Sequence, residues 1–364
     1  MATFVMQSMG CEVAALNTVH FSNHTGYGQI KGTKSSAQEI TSIYDGLQQS
    51  YLTDFDVLLS GYAPSAAAVE AVGAIGMDLK KRASKRPGSF FWVLDPVMGD
   101  QGRLYVNEDV VPAYKSLVSQ ADLILPNQFE AELLSGIRIT SLQNLADAVT
   151  VIHCTYNVPH VIVTSVQLPG PLSSSASSTL SLSTADNSTN SQESRTSTLA
   201  VLGSTMTSDC SARLFKIEVP RLDCFFSGTG DMFAALTVAR LREAVFASDA
   251  SISPALHERA SWISPDDVPA TSLPLAKATE KVLASMHSVL EKTMMARNDE
   301  LARHANRSDE HDAEFAGLSD ADRKLAVEKK AYLLQTKAAE IRLVRNVDLL
   351  KNPVVVFKAE EWNQ

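Results

Sequence analysis

Five short apolar runs, at residues 11–19, 56–59, 90–94, 123–125 and 161–163, each hand the chain to a polar or proline-bearing loop. Residues 36–51 and 66–83, lying between such runs, carry their apolar side chains at helical spacing. Strands alternating with helices predict an α/β fold built on a doubly wound, mostly parallel sheet, in which ligands collect at the carboxyl ends of the strands. The loops at 21–28, 61–64, 95–100, 126–130 and 164–165 then share one rim. With 364 residues, 45% of them hydrophobic, the chain can form one large domain with a proper core. Residues 1–9 read as a helix stopped by Gly10. Residues 199–202 and 214–217 read as strands, antiparallel at the sheet edge. A helix is expected over 275–295, with Leu283, Met286, His287 and Leu290 on its buried face, and an ordered tail at 340–347 and 353–357.

The stretch 226–236 places Gly228, Thr229, Gly230 and Asp231 directly before an apolar helix. Glycines let the backbone approach an oxyanion, and a helix start offers unpaired amides with partial positive charge. Asp231 stands where a carboxylate can take a proton from an attacking hydroxyl while the amides of Gly228 to Gly230 hold a moving phosphoryl group. The same four residues also suit a plain loop with an N-cap Asp, so other segments must decide.

The formal net charge of -9 argues against nucleic-acid or anionic-membrane partners, which need a basic face. Cys11, Cys154, Cys210 and Cys224 have no paired spacing and no apolar leader precedes them, which reads as a reducing, cytoplasmic setting without disulfides. No apolar run is long enough to span a bilayer, and the histidines form no metal-ligand pattern. Residues 173–198, of which sixteen in twenty-six are Ser or Thr, read as a disordered insert in a single domain covering 1–364. Residues 243–272 read as a variable insertion around prolines, and 297–330 as a charged arm, a solvated helix or disordered.

Four segments carry a resemblance. Phe21-Ser22-Asn23-His24-Thr25-Gly26-Tyr27, Asp95-Pro96-Val97-Met98-Gly99-Asp100, the run from Pro126-Asn127-Gln128-Phe129-Glu130 to Gly136, and Gly228-Thr229-Gly230-Asp231 occur in the order found in eukaryotic pyridoxal kinases. The last motif alone marks the wider ribokinase superfamily, whereas the first and third together resemble the vitamin B6 kinases. The resemblance covers most of residues 1–241 and thins beyond. It implies a ribokinase-like fold and ATP-dependent phosphorylation of the 5′-hydroxyl of pyridoxal, pyridoxine or pyridoxamine. Asp231 falls on the family's base, and Gly228, Thr229 and Gly230 on its anion hole. Asp95, Asp100, Asn127 and Glu130 fall where the family handles metal-bound phosphates; Asp95, Asp100 and Glu130 are hard oxygen ligands of the kind Mg²⁺ takes. Thr25, Val19, Phe21 and Tyr62 match contacts to the vitamer ring. Tyr105, in a flap at 102–107, and Thr164, Ser165, Leu222, Asp223, Cys224 and Thr229 match nucleotide-lining positions. The resemblance further implies K⁺ activation, a homodimer, and a cytoplasmic and nuclear location.

Two departures stand out. Leu125 occupies a position where many members carry Thr. Members also begin with a strand and a glycine-bearing loop, and this chain opens after that segment, inside the first helix; the strand is central in the family, so its loss would leave neighbours with unpaired backbone groups. Two other readings follow: a hydroxymethylpyrimidine kinase on the same fold, and a protein that binds nucleotide or vitamer without turnover.

Overall fold

The computed structural model describes residues 1–166, 198–249, 254–305 and 318–362. Helix α1 (Ala2–Ser8) is followed by β1 (Val19–Phe21), which pairs antiparallel with β2 (Gly32–Lys34). Helix α2 (Ala37–Gln49) starts at a capping box of Ser36 and Glu39, and β3 (Val57–Ser60) leads to α3 (Ala66–Ala83), capped by Ser65. Then come β4 (Phe91–Leu94), the small ribbon of β5 (Gly99–Asp100) and β6 (Arg103–Leu104), α4 (Val110–Val118), β7 (Leu123–Ile124), α5 (Gln128–Ser135), α6 (Leu142–Tyr156) and β8 (His160–Val166). Strands β9 (Thr198–Met206) and β10 (Ala212–Pro220) precede α7 (Thr229–Ser248), α8 (Pro274–Ala305), α9 (Asp320–Ala338), α10 (Val347–Lys351) and β11 (Glu360–Glu361).

Among the described residues the main sheet has seven strands in the order β11-β10-β9-β8-β7-β4-β3. Strands β3, β4, β7 and β8 run parallel, while β9, β10 and β11 add an antiparallel edge. Side chains alternate across it. Trp92, Leu94, Ile124, Val161 and Val163 face a core shared with Ile40, Val69, Leu117, Leu134 and Val149. Phe91, Val93, Leu123, Ile162 and Phe215 face the other, shared with Val5, Phe233, Leu236, Val282 and Leu350. Both faces are covered by helices, so these strands read as continuous apolar runs.

One expectation needs correction. Residues 11–17 form no strand; β1, which follows at Val19, pairs with β2. A strand needs a hydrogen-bonded neighbour, and this run has none among the described residues; Val13, Ala14 and Leu16 instead line a cavity of about 400 Å³ together with Val57, Leu58 and Leu59 of β3. Strand β3 is consequently the sheet edge, and Val57, Leu58 and Leu59 are half-buried rather than buried. Within 243–272, α7 runs on through Ser248, and Leu256, Trp262 and Ala270 are buried, Trp262 stacking on Phe91 at 4.2 Å and donating to the Gly88 carbonyl.

The insert at 173–198 lies outside the described residues except for Thr198, the first residue of β9. Of the stretch 297–330, residues 297–305 continue α8 and 320–330 belong to α9.

Packing of α3 on the sheet depends on a close approach. A Cβ on Gly76 would lie 2.4 Å from the ring of Trp92, which is fully buried and held by its Nε1 donating to Ser60 Oγ at 2.8 Å. Alanine gains about 1 kcal/mol of helix propensity over glycine. Overpacking against a rigid, anchored ring costs about 1–3 kcal/mol, so the clash wins. Gly76→Ala is therefore expected to lower stability, by up to about 2 kcal/mol in denaturant unfolding; an unchanged or raised midpoint would show that Trp92 can move.

Candidate functional site

Strand ends deliver the site. Asp95 follows β4 directly, and its backbone N–H donates to the Ser60 carbonyl of β3, which fixes where the side chain begins. Asp95 is buried, and its carboxylate has no hydrogen bond or ion pair among the described residues. Burial, then the charges of Glu130 and Asp231, push its pKa well above the usual carboxylate range.

Asn127 and Glu130 form a capping box at the start of α5. Glu130 N–H donates to Asn127 Oδ1 at 3.0 Å, and Asn127 N–H donates to Glu130 Oε2 at 2.9 Å. Glu130 Oε1 also accepts from the amides of Met98 at 2.8 Å and Gly99 at 3.3 Å, and Asn127 Nδ2 donates to the Gly99 carbonyl at 2.7 Å. The helix start is thereby riveted to the loop after β4. Burial pushes Glu130 up to about 7 although those amides pull it down.

Asp231 lies in the first turn of α7. Gly228, at φ 84°, is the N-cap residue and makes no side-chain cap bond, so the first amides of α7 keep free donors. A Cβ on Gly230 would meet only Asp95 Oδ2, at 3.7 Å, so the helix start faces Asp95. The Met1 side chain lies against Gly228. Asp231 opens onto the cavity beside β3 and keeps access to solvent, yet the protein packed around it withholds bulk water and raises its pKa, with the Met1 amine pulling the other way.

The structure brings Asp95, Asp231, Tyr62 and Val19 onto one cavity wall. Thr25 and Phe21 are not among its lining residues; exposed Thr25 opens the turn Thr25–Tyr27, and Phe21 ends β1. Tyr105 is exposed after β6, its N–H donating to the Met98 carbonyl, and packing around its hydroxyl, then the charges of Asp100 and Glu130, raise its pKa. Asp100 turns its carboxylate to its own loop, where Oδ1 accepts from Gln101 N–H at 2.8 Å. Among the described residues no three His, Cys, Asp or Glu side chains are grouped to hold a metal. Thr164 bridges Asn127 across neighbouring strand ends, and Ser165 adopts φ 55°. Leu222, Asp223 and Cys224 form a tight turn after β10, with Cys224 N–H donating to the Leu222 carbonyl. Sequence reasoning missed Tyr332 and Glu340, which reach the 21–28 loop from the far end of the chain. No local signal could have found them, because the contacts cross more than 300 residues.

A family model described as phosphomethylpyrimidine kinase matches residues 75–256. A Schizosaccharomyces pombe protein, itself only provisionally named a pyridoxal kinase, is 34% identical over 80% of this chain and 79% of its own length. Sheep pyridoxal kinase is 36% identical over 65% of this chain and 70% of its own length. The solved pyridoxal kinase of Leishmania donovani in complex with ADP and pyridoxamine superposes with a TM-score of 0.68 at 26% identity, covering 100% of this chain and 93% of that one. On these likenesses, the chain belongs to the pyridoxal kinase family.

Proposed function

We propose that this chain transfers the γ-phosphoryl group of ATP to the 5′-hydroxyl of a B6 vitamer, pyridoxal, pyridoxine or pyridoxamine, with Asp231 as base. The observation that carries the reading is the meeting of Asp231, at an uncapped helix start, with Asp95 on a cavity that Tyr62 and Val19 also line. The relative solved with ADP and pyridoxamine shares the fold and supports the same pair of ligands here.

In this mechanism the vitamer hydroxyl oxygen attacks the γ-phosphorus in line. A new O–P bond forms, the bond to the β–γ bridging oxygen breaks, ADP leaves, and the hydroxyl proton passes to Asp231. The first amides of α7, around Gly228, Thr229 and Gly230, receive the transferring oxygens. Most of the rate enhancement then comes from positioning and charge neutralisation. Tyr62, whose hydroxyl burial keeps protonated, and Val19 offer a flat wall to a pyridine ring. By the family resemblance, Thr25 meets ring substituents and Phe21 packs beside them, from outside the cavity lining, and Tyr105, Thr164, Ser165, Leu222, Asp223 and Cys224 border the nucleotide.

A divalent cation suits the donor set. Asp95 is a buried carboxylate without a protein partner among the described residues, repelled by Glu130 and Asp231, and a hard cation relieves that repulsion. Asp95 would hold Mg²⁺, with Glu130, already bonded to three amides, beside it; Asp100, the third acid the resemblance implies, turns its carboxylate to its own loop. When bound, Mg²⁺ neutralises phosphate charge. The family likeness also supports a homodimer in the cytoplasm.

The direct test is formation of pyridoxal 5′-phosphate from pyridoxal, ATP and Mg²⁺, with hydroxymethylpyrimidine as competitor, because the matching family model is named for a pyrimidine kinase. Pyridoxal should be the turned-over substrate. Preferential phosphorylation of the pyrimidine would assign the chain to the sister activity, and vitamer binding without product would make it a binding protein.

The pH profile carries a second expectation. A base acts as its carboxylate, so activity is lost as pH falls through its pKa; burial raises that pKa above 3.8, which moves the acidic limb upward. The acidic limb of kcat/KM should therefore lie above the ordinary aspartate range, and a limb at or below that range would contradict a desolvated base.

A further inference from the structure

The loop proposed to contact the vitamer is braced by the other end of the chain. Tyr27 Oη donates to Glu340 Oε1 at 2.9 Å, His24 Nε2 lies 3.4 Å from the same oxygen, and Tyr332 Oη donates to the Gly26 carbonyl. These three partners flank Thr25 on both sides.

The bonds on the loop are mutually consistent. His24 Nδ1 accepts from Gly26 N–H at 3.1 Å, so the neutral imidazole carries its proton on Nε2, the nitrogen that faces Glu340. The His24 and Tyr27 rings lie 4.7 Å apart, and burial together with Glu340 pushes Tyr27 up to about 12, which keeps its hydroxyl a donor. One carboxylate oxygen thus gathers two side chains of one turn.

Glu340 is itself firmly mounted. Its N–H donates to the Lys337 carbonyl at the end of α9. Two residues on, Arg342 pairs with Glu300 of α8 at 2.6 Å, and its N–H donates to Thr293 Oγ1 at 3.2 Å. The brace runs from α8 through Arg342 and Glu340 to the turn Thr25–Tyr27, with Tyr332 of α9 as a second prop.

We infer that Glu340 and Tyr332 are positioning residues for the vitamer side of the reaction: they hold the turn Thr25–Tyr27 in the form that presents Thr25 to the substrate, without touching substrate themselves. The inference rests on the B6 kinase reading of the site. It makes the α8–α9 arm part of substrate recognition.

The test is steady-state kinetics of the full chain, with pyridoxal and ATP varied separately, for wild type, Glu340→Ala, Glu340→Gln and Tyr332→Phe, beside pyridoxal binding at equilibrium and thermal melting. Glu340→Ala should raise the KM for pyridoxal about tenfold, the worth of one or two lost hydrogen bonds. Its kcat, its KM for ATP and its melting temperature should stay close to wild type. Glu340→Gln keeps an acceptor oxygen and should recover most of the loss, while Tyr332→Phe should give a smaller rise of the same kind. An active wild type whose pyridoxal KM is unmoved in Glu340→Ala, or whose two KM values rise together, overturns the positioning role and leaves the kinase reading intact. A wild type that neither binds nor phosphorylates pyridoxal overturns both.

Discussion

The rim of the sheet depends on crowding like charges. Asp95 and Glu130 are both buried, and Asp231 joins them from the start of α7. Leaving a carboxylate partnerless in such a place raises its pKa and costs stability, so the surrounding fold must enforce it. Enforcement is visible in the backbone. Asp95 is pinned by the Ser60 carbonyl, Glu130 by three amides, and Asp231 by a helix whose face packs into a core with Met232, Phe233 and Leu236. What this crowding provides is a cluster of acids with raised pKa, which the proposed reading completes with a divalent cation and phosphate.

The cavity beside β3 is the second feature on which function turns. Strand β3 is apolar on both faces, the pattern of an interior strand, yet it forms the sheet edge and borders open space. That space continues to Asp95 and Asp231, so sheet edge and site are one region. Thr18 spans it at one point, its hydroxyl donating to the Tyr62 carbonyl at 2.7 Å. Whatever alters packing along β3 will therefore be felt at the acids, and ligand binding should in turn firm up the edge.

Much of this was legible in sequence because it is local. Short apolar runs ending in Asp95, in Asn127 and Glu130, and in Thr164 reveal strands that feed one rim, whereas the capping box of Asn127 and Glu130 emerges only in the structure. Residues 11–17 were misread because apolar content says nothing about whether a neighbouring strand exists to receive the hydrogen bonds. Strand β11 is two residues long and takes its form only from pairing with Phe215 and Lys216. Trp262 on Phe91, and Glu340 on Tyr27, are contacts between distant segments with no periodicity to announce them.

The central claim is that Asp231 removes the hydroxyl proton while the first turn of α7 holds the phosphoryl group. The most direct measurement is turnover by Asp231→Asn set beside its affinity for ATP with Mg²⁺ and its melting temperature. Asparagine keeps the shape and removes the base, so turnover should fall about 100- to 10,000-fold while folding and nucleotide binding stay near wild type. A variant that still phosphorylates pyridoxal at a comparable rate would contradict the assignment.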